Sequence, residues 1–227
     1  MRLLIISQYF WPEIFLINDL AKDLVKRGDK VIVLTGKPNY PKGKIYKGYD
    51  YFSVTEEIIN GVKVIRVPIF PRFSSFYTLI INYFSYVISA IIFGLWKLKD
   101  KKFDAIFVFG VSPVLQAIPA IIFSRIFKKP ISIWVQDLWP ESIAATKYTK
   151  NKYLFKFIRV IVRFIYREAD LILIQSKGFS KKINLLNKTT PIKYLPNFYK
   201  TRSSDFTLNK KYDKYFKKKF TFLFAGN

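Results

Sequence analysis

The stretch MRLLIISQYFWPEIFLINDLAKDLVKRGDKVIVL, residues 1–34, decides the fold. Between Arg2 and Ser7 lies an apolar run that is too short for a signal peptide, and Gln8, Trp11-Pro12 and Glu13 end it at once. It reads as a buried first strand. From Ile14 to Arg27 the apolar positions Ile17, Leu20, Ala21, Leu24 and Val25 recur at helical spacing, and Gly28 closes the helix. Lys30-Val-Ile-Val-Leu34 is a second buried strand. Strand, loop, helix and strand within 34 residues have the spacing of a right-handed βαβ unit.

The pattern repeats along the chain. Strands are expected over Val62–Val67, Phe103–Phe109, Ile131–Val135, Leu171–Gln175 and Ile192–Leu195. Helices are expected over Phe76–Trp96, Pro113–Phe127, Lys152–Glu168 and Lys177–Leu186. Continuous apolar strands alternating with helices predict an α/β fold, a Rossmann-like doubly wound parallel sheet covered on both faces. After Pro196-Asn197 the character changes. Lysine-rich residues 200–219 read as an interdomain linker following a domain of residues 1–199. Residues 220–227, Phe-Thr-Phe-Leu-Phe-Ala-Gly-Asn, read as the first strand and turn of a second Rossmann unit. The rest of that unit is expected downstream or on another polypeptide.

Composition narrows the chemistry. The chain has 227 residues, is 51% hydrophobic and contains neither cysteine nor histidine. Disulfide scaffolds, Cys/His metal sites, thiol nucleophiles and Ser–His–Asp arrangements are therefore excluded. Acid–base work falls to carboxylates, Tyr, Lys or groups on a substrate. The net charge is +24, yet residues 145–227 alone hold 20 cations against 4 anions. Lys outnumbers Arg by 30 to 9, which argues against a base-reading nucleic-acid surface.

Two helices bear on a membrane. Residues 76–96 hold 21 residues without a charge, long enough to span a bilayer. Spanning would split the sheet across the membrane, so two readings stay open, a packed core helix and an in-plane lipid contact. Thr78, Asn82, Ser85 and Ser89 form one narrow polar stripe on it. In the second helix Lys152, Lys156, Arg159, Arg163 and Arg167 recur every three or four residues along one face. Such a stripe reads as binding to an anionic membrane surface, with each cation worth about 1 kcal/mol, or else as an ordinary solvated face.

Ligands of doubly wound sheets bind at the carboxyl ends of strands. The loops there offer Glu13, Asn18 and Asp19 after the first strand, and Asn39 and Tyr40 between prolines after the second. Ser112, Asp137, Glu141 and Asn197 follow later strands. Asp137 directly follows a buried strand and is the catalytic candidate, with a helix N-terminal carboxylate as its alternative role. Asp19 can equally face solvent near a helix start. Asn39-Tyr40 suits a sugar or plain turn chemistry. No G-x-G-x-x-G follows the first strand and there is no P-loop. No Asp-x-Asp pair is present to share a diphosphate-bound metal, and no cofactor or metal is expected.

Taken together, Ser7-Gln-Tyr-Phe-Trp-Pro-Glu13, Leu34-Thr-Gly-Lys-Pro-Asn-Tyr-Pro-Lys-Gly43, Asp137-Leu-Trp-Pro-Glu-Ser142, Leu195-Pro-Asn197 and Phe224-Ala-Gly-Asn227 are a recognisable set. They resemble the amino-terminal half of the WbuB-like branch of family-four GT-B glycosyltransferases. The resemblance implies an acceptor-binding domain, with the nucleotide-sugar domain and its Glu-x7-Glu motif following Asn227. It implies metal-independent, retaining transfer of a hexosyl or acetamidosugar residue to a lipid-linked saccharide in bacterial surface polysaccharide synthesis. It places Asp137 near the transferring sugar, Asn39, Ser112 and Asn197 along the cleft, and Asn18 and Asp19 where the family's glycine-rich loop would lie. The expected location is the inner face of the cytoplasmic membrane, and this half alone is expected to be inactive. The alternative is a non-catalytic membrane-recruiting subunit completing a separately encoded catalytic domain.

Overall fold

A computed structural model of the chain describes residues 1–73, 75–142 and 151–198. The expected linker over 200–219 and strand over 220–227 lie outside the described residues. Met1–Asn197 form one compact unit. Its centre is an eight-stranded sheet in the order β3-β4-β2-β1-β5-β6-β7-β8. The strands are β1 (Arg2–Ile6), β2 (Lys30–Gly36), β3 (Thr55–Ile59), β4 (Val62–Val67), β5 (Ala105–Gly110), β6 (Ile131–Val135), β7 (Leu171–Ile174) and β8 (Ile192–Tyr194). All neighbours pair in parallel except β3 and β4, which form an antiparallel hairpin. Leu4 of β1 lies between Ile32 of β2 and Ile106 of β5, and all of Leu3 to Ile6 are buried. Burial on both faces is why these strands read as continuous apolar runs rather than alternating ones.

The β3 strand is the correction to the all-parallel expectation. Its sequence Thr-Glu-Glu-Ile-Ile carries two adjacent charges and alternates between half-buried and exposed, so it shows no apolar run. Its antiparallel ladder with β4 holds it at the edge, and ion pairs add to that hold. Glu57 pairs with Arg66 of β4, whose side chain is fully buried, and Glu56 pairs with Lys63 at 2.7 Å.

The helices are α1 (Leu16–Lys26), α2 (Phe76–Leu98), α3 (Ala117–Phe127), α4 (Lys152–Arg167) and α5 (Phe179–Leu186). A short 3-10 turn, Val114–Gln116, replaces the expected start of α3 at Pro113. Two helices start later than their apolar spacing suggests: α1 begins at Leu16 rather than Ile14, and α5 at Phe179 rather than Lys177. Gly28, at φ +90°, takes the left-handed position that ends α1. Asn151 caps α4 by accepting from the Tyr153 and Leu154 N–H groups.

Right-handed crossovers put α1 on one face of the sheet and α2 to α5 on the other, because the chain reverses its direction of travel after β4. In that second layer α2 packs on α3, α3 on α4, and α4 on α5. Close approach of α2 and α3 depends on Gly94, where a Cβ would stand 2.6 Å from the Phe123 ring and 2.9 Å from Leu34.

Candidate functional site

The switch point of the sheet lies between β1 and β5, where successive connections leave in opposite directions. The loops that follow β1, β2, β5 and β6 meet at this end, and each holds one cis peptide bond before a proline: Trp11-Pro12, Tyr40-Pro41, Ser112-Pro113 and Trp139-Pro140.

A buried chain of side-chain amides ties these loops together. The Gln8 N–H donates to Gln116 Oε1 at 2.8 Å, and Gln116 Nε2 donates to the Val111 carbonyl at 2.8 Å. Gln8 Nε2 donates to Asn82 Oδ1 at 2.8 Å, and Asn82 Nδ2 reaches Asn39 Oδ1 at 3.3 Å. Asn39 in turn donates to the Lys37 carbonyl at 3.0 Å. Gln8, Asn39, Asn82 and Gln116 are all fully buried. A buried amide without partners costs several kcal/mol in an apolar setting, so these bonds fix the loops relative to the sheet, with Gln8 Oε1 left without a partner among the described residues. The sequence by itself assigns no site role to Gln8 or Gln116. The available signal is an amide within a largely apolar stretch, as with Asn82 in the uncharged residues 76–96 of α2.

Glu13 is the second tie. Its carboxylate, 2% exposed, accepts from the Asn39 N–H at 2.8 Å, the Tyr40 N–H at 2.6 Å and the Phe10 N–H at 3.2 Å. Burial pushes the pKa of this carboxyl up to about 7, against the three backbone donors, which favour the ionised form. Asn18 secures the same loop from α1, donating to the Glu13 carbonyl at 2.6 Å and accepting from the Trp11 N–H at 3.1 Å. Glu13 and Asn18 therefore hold the protein's own loops. Asp19 lies exposed in the first turn of α1.

On this frame sits an aromatic cluster. The Tyr9 and Phe15 rings stack at 5.2 Å, and Tyr40 leans on both at 5.5 and 5.4 Å. The Arg72 guanidinium lies 5.1 Å from the Tyr40 ring. Beneath, Arg66 donates to the Trp11 carbonyl, and Lys37 Nζ lies 3.3 to 3.4 Å from Thr55, Ser53 and Asp50. Hydrogen bonds from Ser53 and the nearby Lys37 charge hold the Asp50 carboxyl well below the usual carboxylate range.

The third group is built from the loops after β5 and β6. Asp137 Oδ2 accepts the Ser112 N–H at 2.8 Å, and the Trp139 indole donates to Ser112 Oγ at 2.9 Å. Asp137 thus braces the neighbouring loop, a contact different from its alternative role at a helix N-terminus. Close by in sequence, Glu141 Oε2 and Ser142 Oγ are buried without a hydrogen-bond partner among the described residues, as is the hydroxyl of Tyr166 on α4. Burial, with the Glu141 charge adding to it, raises the Tyr166 hydroxyl well above its ordinary value. Asn197 is exposed beyond β8, three strands from β5. The structure thus brings together Glu13, Asn18, Asn39 and Tyr40 as one group and Ser112 with Asp137 as another, joined through Gln116 and Val111.

Among solved structures the chain is similar to sucrose-phosphate synthase from Thermosynechococcus elongatus, with TM-score 0.52 and 13% identity over 86% of this chain and 88% of that one. It is also similar to trehalose-6-phosphate synthase from E. coli bound with UDP-2-fluoro glucose, with TM-score 0.53 and 11% identity. The fold is that of a GT-B Rossmann-like domain. The E. coli match takes in 88% of this chain and 49% of that one, so the chain spans about half the length of that structure. No protein-family model matches the chain, and no curated protein matches it by sequence.

The rim loops lie at the carboxyl ends of the strands. A cavity of about 300 Å³, lined by Arg2, Asp29, Lys63 and Lys102, lies at the opposite, amino-terminal ends of the strands. Among the described residues no group of three His, Cys, Asp or Glu side chains is placed to hold a metal ion.

The basic helix α4 carries its cations on its outer face. Lys152, Lys156, Arg159, Arg163 and Arg167 are all exposed, while Val162, Ile165 and Tyr166 face inward. Tyr153, Phe157, Val160 and Phe164 are exposed as well, so four of the five cations have an apolar neighbour on the outer face. Phe157 and Phe164 lie beside the cations rather than on the buried side.

Proposed function

We propose that residues 1–197 are the acceptor-side domain of a retaining, metal-independent glycosyltransferase. It moves a sugar from a nucleotide-sugar donor to a lipid-linked saccharide during assembly of a bacterial surface polysaccharide. The observation that carries the reading is the union of two things at one place. The sheet is a GT-B Rossmann-like domain, and its switch-point rim presents the Asp137 carboxylate and an aromatic cluster on a frame fixed by buried amide hydrogen bonds.

The resemblance suggests a role for each residue, and the geometry supports it. Asp137, oriented by the Ser112 N–H, supplies the carboxylate nearest the transferring sugar. Tyr40, flanked by Tyr9, Phe15 and Arg72, offers an aromatic face to a pyranose ring. Glu13, Asn18 and Asn39 are positioning residues that hold that loop. Donor binding and electrostatic stabilisation of the leaving diphosphate fall to a second domain. The exposed cations of α4 meet the anionic inner face of the cytoplasmic membrane, where a lipid-linked acceptor resides.

The test is equilibrium binding to the chain of a polyprenyl-diphosphate N-acetylhexosamine in lipid nanodiscs, beside binding of UDP-sugars. The lipid-linked saccharide is expected to bind, and Tyr40→Ala is expected to weaken it at least tenfold. Tight UDP-sugar binding without acceptor binding would overturn the acceptor-side assignment.

A further inference from the structure

Helix α2 is built inside out for a water-facing element. Its polar stripe is buried at Asn82 and half-buried at Thr78, Ser85 and Ser89. Asn82 is buried in the amide chain, Thr78 Oγ1 donates to the Ser75 carbonyl, and Ser85 Oγ both donates to the Asn82 carbonyl and accepts the Phe70 N–H. Tyr86, Ala90 and Leu98 continue the buried face, and Tyr86 donates its hydroxyl to the Leu34 carbonyl. The outer face carries Tyr77, Ile81, Phe84, Ile88, Ile92 and Trp96, spaced every three or four residues and each 48% to 76% exposed.

Six large apolar side chains in one exposed row exceed what a water-facing surface ordinarily shows. Spanning does not account for it, because the two ends of α2 join β4 and β5 of one sheet and its inner face is packed on β2, β4 and α3.

We infer that α2 is an in-plane membrane anchor whose outer stripe inserts at the headgroup–acyl boundary of an anionic bilayer. Charge decides between lipid and a second copy of the chain. The stripe belongs to the same helix layer as α4, whose outer face carries five exposed cations. Lys97 lies over the Trp96 ring at 4.3 Å and pairs with Glu56 at 3.1 Å, and Lys99, Asp100 and Lys102 are exposed just beyond the helix, so the excess of charge comes from α4. Two such layers facing each other would oppose like charges, whereas an anionic lipid surface complements them. Ile126 of α3, also exposed, lies in the layer between the two helices. Because Asn82 on the inner face bonds Gln8 and Asn39, the anchor is tied directly to the rim. The inference rests on the membrane reading of α4 only for the charge of the surface.

The test is sedimentation of the full chain with vesicles of 1:1 phosphatidylcholine and phosphatidylglycerol, and with phosphatidylcholine alone, at low and high salt. Combined Ile81→Gln, Ile88→Gln and Ile92→Gln substitutions should lower partitioning at least tenfold at high salt, where screening weakens the cations. The far-UV circular dichroism should be unchanged. Lipids brominated in the acyl chain should quench a component of the fluorescence that Trp96→Phe removes. Combined Lys156→Gln, Arg159→Gln and Arg163→Gln substitutions should abolish the low-salt preference for anionic vesicles but spare high-salt binding. If only this second set matters, α2 is not an anchor, though α4 still meets the membrane. If only the first set matters, the anchor stands and the α4 reading fails. A dimer in solution that the isoleucine substitutions dissociate, with vesicle binding unchanged, would make the stripe a self-association face instead.

Discussion

Glu13 is the residue on which the rim turns, since its carboxylate joins the loops after β1 and β2 through three backbone N–H groups. Its folded-state pKa of about 7 lies above the ordinary value of 4.5, so the folded state keeps the proton longer as pH rises. Its contribution to stability is then fully present below about pH 4.5 and is lost as pH rises through about 7. The size is on the order of 3 kcal/mol, because each tenfold change in proton affinity is worth about 1.4 kcal/mol. The chain has no histidine, so no ordinary imidazole titrates in the same window. Denaturant unfolding from pH 5 to pH 8 should show falling stability, and Glu13→Gln should flatten that slope. An unchanged slope would assign the pH dependence to other groups.

Asp137 is the second test at this scale. In an enzyme carrying this domain, Asp137→Asn should cut sugar transfer by roughly a hundredfold or more, the range of a positioned acid–base group. Its thermal midpoint should barely move, because the amide oxygen can still accept the Ser112 N–H. Transfer of radiolabelled sugar, measured beside a thermal melt, separates the two effects, and an unchanged rate would leave Asp137 as a loop brace only. Asp137, Asn39 and Tyr40 are legible at the right strand ends because β-strand periodicity and flanking prolines are local signals. That Glu13 is consumed by backbone amides is not legible, since two of those donors come from residues 26 and 27 positions away.

Among the elements, α2 carries the most information that its sequence alone leaves open. An uncharged 21-residue run with a four-residue polar stripe fits a core helix and a lipid-facing one equally well. The structure buries Asn82 and leaves Thr78, Ser85 and Ser89 half-buried, and the amide partners of Asn82 lie in the loops after β1 and β2, distant in sequence. The β3 edge strand escaped for a related reason, since Glu56 and Glu57 look solvated until Arg66 and Lys63 are beside them. The α2–α3 contact gives a packing prediction. Gly94→Val should cost about 1–3 kcal/mol by overpacking against the buried Phe123 and Leu34. Chemical denaturation measures that cost, and a neutral result would mean that the two helices separate without penalty.

For the whole molecule, alternating apolar strands and helices are enough to read a doubly wound sheet, because right-handed crossovers and double-sided burial leave few other arrangements. The net charge of +24 needs the structure to become specific, as five cations and four apolar side chains fall on the outer face of α4. In the proposed arrangement the helix layer lies on anionic lipid and the switch-point rim receives the saccharide end of a membrane-held acceptor. Photo-crosslinking of the chain with a diazirine-bearing polyprenyl-diphosphate N-acetylhexosamine in nanodiscs, followed by peptide mapping, tests this most directly. Saccharide-end crosslinks are expected in residues 7–15, 37–43, 110–113 and 136–142, and crosslinks concentrated at the amino-terminal strand ends around Arg2, Lys63 and Lys102 would contradict it.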